Sequence, residues 1–231
     1  MSVAIAEHVA AGQDVHVLWM TRGKASAVLS KLNAASATPN SWWGVVHNPG
    51  AEGYDPLTPD EFGAVRLAEA ITAVTCLSAG LSGTLTTHEG GLEDGQVTMQ
   101  DAKAAIEALC DLITPEGAPV RLKGHTWRTQ LDNHPDHVAV GMAMKQLATE
   151  DPVRYGDVRY YILPYYWHDP DLNLVGEVWD TPTNSDIAAR AINACRSYGA
   201  WAPPARFAVG HHSTFGMFAQ VMAGPKCLFH P

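Results

Sequence analysis

The chain has no apolar run approaching the ~18 residues that a membrane span requires, which excludes a transmembrane helix. It has no surplus of basic residues either. With 15 Lys and Arg against 24 Asp and Glu, the formal charge is −9, and no basic surface is available to repay phosphate binding by a nucleic-acid partner. It has no Cys-x-x-Cys pair: Cys76, Cys110, Cys195 and Cys227 are widely spaced and read as buried free thiols in a reducing, cytoplasmic compartment. A secretory leader is not expected, because Val3-Ala4-Ile5-Ala6 lacks a basic start and is cut short by Glu7 and His8. Internal repeats, low-complexity tracts and linkers are absent as well. What is present, 46% apolar and 17% charged over 231 residues, describes a soluble globular protein able to bury a full core.

Alternating helical and strand patterns organise that core. Val3, Ile5, Ala6, Val9 and Ala10 mark a helix face, with Gly12 where a helix-ending glycine belongs, and Val15 to Met20 then reads as a buried strand. A helix followed at once by a buried strand is the second half of a βαβ unit. In doubly wound sheets the first strand of such a unit lies centrally, so its loss leaves a gap in the middle of the sheet. Ala25 to Ala35 allows a helix, and Trp42-Trp43 with Asn48-Pro49-Gly50 reads as a packed surface loop. Thr58-Pro59-Asp60-Glu61 is a capping box opening a helix, on whose exposed side Arg66 and Glu69 are spaced to pair. Further strands are expected over Leu81 to Thr87, Pro119 to Thr126 and Val158 to Leu163, and further helices from Thr98, from His137, over Asn184 to Tyr198 and after Ser213. Short connections between these elements predict one α/β domain, Rossmann-like, with a mostly parallel sheet and helices on both faces.

The stretch with most chemistry is Asn133-His134-Pro135-Asp136-His137. Two imidazoles and a carboxylate sit at the entrance of a helix whose N-terminus favours negative charge, which suits an oxyanion or a metal site. The plainer alternative is a helix entrance at which Asp136 satisfies backbone N–H groups and the histidines are solvated. Thr21-Arg22-Gly23, His88 to Asp94 and His125 to His137 all fall after strands, at the carboxyl edge where such folds bind ligands. His8 and His16 belong to regular elements. Of the adjacent His211 and His212, only one could face a site.

Together these residues resemble the PIG-L/LmbE-like metal-dependent N-deacetylases. The likeness runs through Arg66-x-x-Glu69, Gly91-Leu92-Glu93-Asp94-Gly95, His134-Pro135-Asp136-His137 with Val140-Gly141, and Gly210-His211-His212-Ser213. The resemblance implies zinc-dependent hydrolysis that removes acetyl from an N-acetylated sugar or related acetamide. It implies His137 as a zinc ligand, and His134 as the group that polarises the tetrahedral intermediate or protonates the leaving amine. It also implies Asp136 as a carboxylate orienting a neighbouring histidine, and Arg66, Asp94, Arg22 and His211 as substrate contacts. Trp42, Trp43, Trp127 and Tyr165 are aromatic faces on which a sugar ring could stack. Substrate identity and oligomeric state are not legible.

The family's opening strand and His-Pro-Asp-Asp-Glu motif, which carry its other zinc ligands and its general base, have no counterpart in this sequence. The expectation is therefore a single deacetylase domain over 1–231, truncated at its N-terminus. Two other accounts stand beside it. One is a catalytically inactive relative kept for binding or regulation; the other is an active enzyme that recruits other ligands such as His88, His125 or His211.

Overall fold

The computed structural model describes residues 1–39, 42–115, 117–169 and 176–231. The first half runs α1 (Ser2–Ala10), β1 (Asp14–Trp19), α2 (Val28–Leu32), α3 (Pro49–Glu52), α4 (Pro59–Ser78), β2 (Thr84–Glu89), α5 (Met99–Ile113) and β3 (Arg121–His125). The second runs α6 (Pro135–Glu150), α7 (Pro152–Tyr155), β4 (Asp157–Ile162), β5 (Val178–Asp180), α8 (Ser185–Ser197), β6 (Trp201–Ala202), β7 (Arg206–Phe207), α9 (Val209–Ala223) and β8 (Cys227–His230). Local chemistry sets many boundaries. Thr58 and Thr98 both form full capping boxes, with Glu61 and Asp101. Gly12, at φ 76°, turns the chain out of α1 and into β1.

Helices cover the strands on both faces. Val3, Ala4 and Ala6 of α1 pack with Ala73 and Leu77 of α4, Ile187 and Ala191 of α8, and Tyr161 and Phe229. On the other face Ile106 of α5 and Ala143, Met144 and Leu147 of α6 pack against Leu122 and Tyr160. The fold is thus α/β, as expected, with parallel main ladders and short antiparallel additions. β1 pairs with β2 and β3 with β4 in parallel, whereas β4–β8, β5–β8 and β6–β7 are antiparallel. The late, short strands add edges that need no crossover helix.

The expected gap is there. Among the described residues no ladder joins β1 to β3, and the strands fall into a β1-β2 pair and a β3-β4-β8-β5 sheet. Between them lies a cavity of about 1250 Å³ lined by the whole of β1 and the whole of β3.

Other expectations shift. The helix expected over Ala25 to Ala35 is confined to α2, and the one expected after Ser213 already starts at Val209 and kinks at Thr214. No described helix is long and apolar enough to cross a membrane. All four cysteines are free, and three of them are buried.

One close approach fixes the central helix. A Cβ on Gly141 would lie 2.6 Å from Trp127 N and 2.7 Å from His125 O, so α6 meets the end of β3 backbone to backbone. Gly141 is one turn after His137, and its closeness is what brings that imidazole against His125. Gly141→Ala is expected to cost about 1–3 kcal/mol, since backbone atoms cannot yield as a side chain would. A urea midpoint that stays at the wild-type value would refute this.

Candidate metal and active site

The loop after β3 carries the site. Thr126, fully buried, bonds His230 of β8 (Oγ1 to Nε2, 2.7 Å) and accepts from Arg128 N at 3.1 Å. Asp132 N then donates to Arg128 O at 3.1 Å, which closes the turn and points the Asp132 carboxylate inward. That carboxylate is fully buried. Its Oδ2 accepts from His137 Nδ1 at 2.9 Å and faces His125 Nδ1 at 3.4 Å, while Oδ1 accepts from His134 N at 3.1 Å. The His125 and His137 rings stack at 3.8 Å and 7°, and His134 stacks on His137 at 4.4 Å.

Electrostatics favour the ligand-ready forms. Burial pushes the Asp132 carboxyl up, but hydrogen bonds from His125 and His137 outweigh it and hold the group well below the usual carboxylate range. Burial pushes the His125 imidazole down against the pull of Asp132, favouring the neutral ring that a metal requires. Its side chain keeps 30% of its surface, which opens onto the cavity rather than bulk water.

His125, Asp132 and His137 each offer one ligand atom, all within 4.8 Å of one another. Around a tetrahedral ion with bonds near ~2.0–2.2 Å, ligand atoms sit roughly 3.3–3.5 Å apart. The Nδ1 atoms of both rings face Asp132 Oδ2 at 3.4 and 2.9 Å, hydrogen-bonding contacts that a bound ion would replace after a small opening of the cluster. Two imidazoles and a carboxylate are also a donor set that zinc accepts. The residues fit the metal.

The sequence-derived candidates fall into two groups. His134, exposed at the N-cap of α6, and His137 join the cluster and line the cavity. Asp136 does not orient a histidine. It is buried and accepts from Gly95 N at 2.8 Å and Val97 N at 3.2 Å, fastening the loop after β2 to α6. The orienting carboxylate is Asp132, because only the turn before the helix can point a side chain back over the His137 ring.

The other candidates also hold loops. Asp94 accepts from Ala25 N at 2.8 Å and from the Thr21 hydroxyl at 3.3 Å, tying the loops after β1 and β2 together. Arg66 donates to Gly23 O at 2.8 Å, and Arg22 pairs with Glu89 at 2.7 Å. All three still line the cavity. Arg66 and Glu69 are not a surface pair: Glu69 is buried and accepts from Phe207, Val209 and Gly210 backbone N–H groups. His211 is not a cavity residue. It is buried, donates Nε2–H to Cys195 O at 3.0 Å and packs against Phe215 and Phe218. His88 bonds His16 at 3.0 Å instead of joining the cluster. Trp42 packs on His211 and His212, Trp43 packs on His47 and Trp201, and Trp127 lies under the Lys145 ammonium.

An α/β fold with a His–Asp cluster beyond the carboxyl end of β3 is a frame that can hold a metal ion. The match is more particular than that. The family model PIG-L, described as GlcNAc-PI de-N-acetylase, matches residues 1–148, and the chain belongs to this family. The match runs from α1 to the last turn of α6 and includes every residue of the cluster. The family is one of deacetylase-type hydrolases, typically metal-dependent. Neither the curated proteins nor the solved structures contain a match to the chain.

Proposed function

We propose that this chain is a zinc-dependent N-deacetylase, a single cytoplasmic domain that hydrolyses the acetamide of an N-acetylated sugar or glycoconjugate. The observation that carries the reading is the buried Asp132 bridging His125 and His137 beside a large cavity. A divalent ion held by His125, Asp132 and His137 would acidify water and polarise the acetyl carbonyl. The chain's own residues do the rest. Asp132 fixes both rings and keeps its negative charge against the ion. The N-terminus of α6, free of any side-chain cap, lends its N–H dipoles to the developing oxyanion. Water adds to the carbonyl carbon, the C–N bond breaks, and acetate leaves. His134, exposed at the helix entrance, takes the proton that water gives up on adding and returns it to the departing amine nitrogen. Arg22, only half covered by Glu89, remains a contact for substrate hydroxyl or phosphate groups.

Zinc content and acetate release test this. Zinc-loaded protein is expected to free acetate from an N-acetylglucosamine conjugate and to stop on chelation. His137→Ala is expected to lose metal and at least about 100-fold in rate. Protein that takes up no zinc and leaves such conjugates intact would overturn the reading.

A further inference from the structure

His47, in the loop before α3, and His212, in the first turn of α9, are both buried, and their Nε2 atoms stand 2.8 Å apart. Their outer nitrogens are engaged as well. His212 Nδ1 donates to Ala208 O at 2.8 Å, and His47 Nδ1 meets Glu52 Oε2 at 2.8 Å, while Glu52 Oε1 accepts from Asn48 N at 2.9 Å. A carbonyl only accepts, so Nδ1 of His212 always carries a proton, and two ring nitrogens in contact need a further proton between them. If His212 supplies that proton it becomes a cation. If His47 supplies it, either His47 is a cation or Glu52 must be protonated to bond the bare Nδ1. The trio therefore holds one proton more than a carboxylate and two neutral rings. Burial pushes the His212 imidazole down to about 4. Burial also pushes the Glu52 carboxyl up, but the Asn48 N–H and the His47 imidazole outweigh it and hold the group below its ordinary value. The extra proton thus resides on His47, an imidazolium against a carboxylate, with the Trp43 and Trp201 rings packed at 24° and 20° to its plane. The other titratable groups beside the trio, His211 and Tyr54, donate elsewhere, to Cys195 O and Leu32 O.

We propose that Glu52, His47 and His212 form a proton-operated latch: the shared proton clamps the segment from Trp43 to Glu52 onto the start of α9, and its loss releases that segment and that turn. Without the proton, two lone pairs face each other across a buried 2.8 Å contact, and only separation of the rings relieves them. A further proton on His212 would oppose N–H to N–H and part them equally. The start of α9 is built to move. Ala208 gives it no side-chain cap, and Thr214, at φ −141° and ψ 39°, breaks the helix just after the two histidines. Gly210 and Ser213, which flank those histidines, line the same cavity as His134. Release of the latch therefore loosens a wall of the cavity, and the occupancy of one proton sets how well that wall is held. This inference goes beyond the deacetylase reading and does not rest on it.

The test uses the full chain with isotope-labelled histidine at stepped pH. One readout is the nitrogen–nitrogen coupling between the two Nε2 atoms, which exists only across an N–H···N bond. The other is exchange protection of the His212 amide, which donates to Ala208 O in the first turn of α9. The coupling is expected to vanish as pH rises, and the protection to fall about tenfold or more in the same step. Glu52→Gln removes the charge that retains the proton and is expected to move both losses down by about one pH unit or more. His47→Gln, which offers its amide N–H to His212 and cannot titrate, is expected to keep the protection at every pH. No coupling at any pH, coupling lost without loss of protection, or a transition that Glu52→Gln leaves in place would overturn the proposal. Neither readout involves zinc or acetate, so failure here and failure of the deacetylase reading are told apart.

Discussion

Asp132→Asn is expected to remove the divalent ion and, with it, about two orders of magnitude or more of acetate release. The reason lies in what the carboxylate accepts. Oδ2 faces both imidazole Nδ1 atoms and Oδ1 takes the His134 N–H, so every contact requires an acceptor and none requires a donor. An asparagine of the same shape must aim its NH2 either at the His134 N–H or into the gap between the two rings. The first choice sets N–H against N–H at the helix start, the second frees the His137 ring, and in both the charge that balances the ion is gone. The comparison that makes this specific is Asp136→Asn, four residues along. That carboxylate serves Gly95 N and Val97 N rather than an imidazole. Asp136→Asn is expected to cost about 1–3 kcal/mol of stability and loosen the loop after β2, while metal content stays near wild type. Zinc retained by Asp132→Asn, or lost equally from both variants, would show that Asp132 is not the anchor of the cluster.

Why Asp136 reads as the important carboxylate in the sequence, and Asp132 does not, is a matter of range. His134, Pro135 and His137 are legible because proline at the first helical position and the spacing of two histidines are local signals. Asp132 acts across a turn that closes only because Thr126 is anchored to His230, a contact spanning 104 residues. No periodicity announces that. Glu69 misled for a similar reason. Its spacing from Arg66 is a surface-pair spacing, yet both residues reach loops whose docking a helical pattern does not encode. The capping box at Thr58, the α1–β1 turn at Gly12 and the gap in the sheet were legible, since each follows from local grammar or from the order of elements. The antiparallel additions were not. β5 and β8 are three and four residues long, too short for an alternating pattern to speak.

Glu69→Ala is expected to lower stability by about 3–5 kcal/mol. The cause is a helix start without a cap of its own. α9 is preceded by Ala208, which has no side-chain acceptor and sits at φ 48°. The first N–H groups of the helix would then be orphans. Glu69, on α4 and only 1% exposed, takes them instead, accepting from Phe207 N at 3.2 Å, Val209 N at 3.1 Å and Gly210 N at 3.3 Å. One carboxylate thus joins two helices and caps one of them from outside. Glu69→Gln keeps the volume but turns one oxygen into a donor facing a donor, and is expected to lose about 2–3 kcal/mol. The pH dependence separates this from simple loss of packing. Burial lifts the Glu69 pKa above its usual 4.5, and the three amides pull it back only in part. The folded state then holds its proton longer than the unfolded chain. Wild-type protein gives up stability as pH rises from 4.5 through that raised value, while Glu69→Gln, with nothing to titrate there, does not. The difference between the two is therefore expected to narrow as pH climbs through that window, as read from urea midpoints at stepped pH. A constant difference, or a Glu69→Ala loss below about 1 kcal/mol, would mean that α9 starts without help from α4.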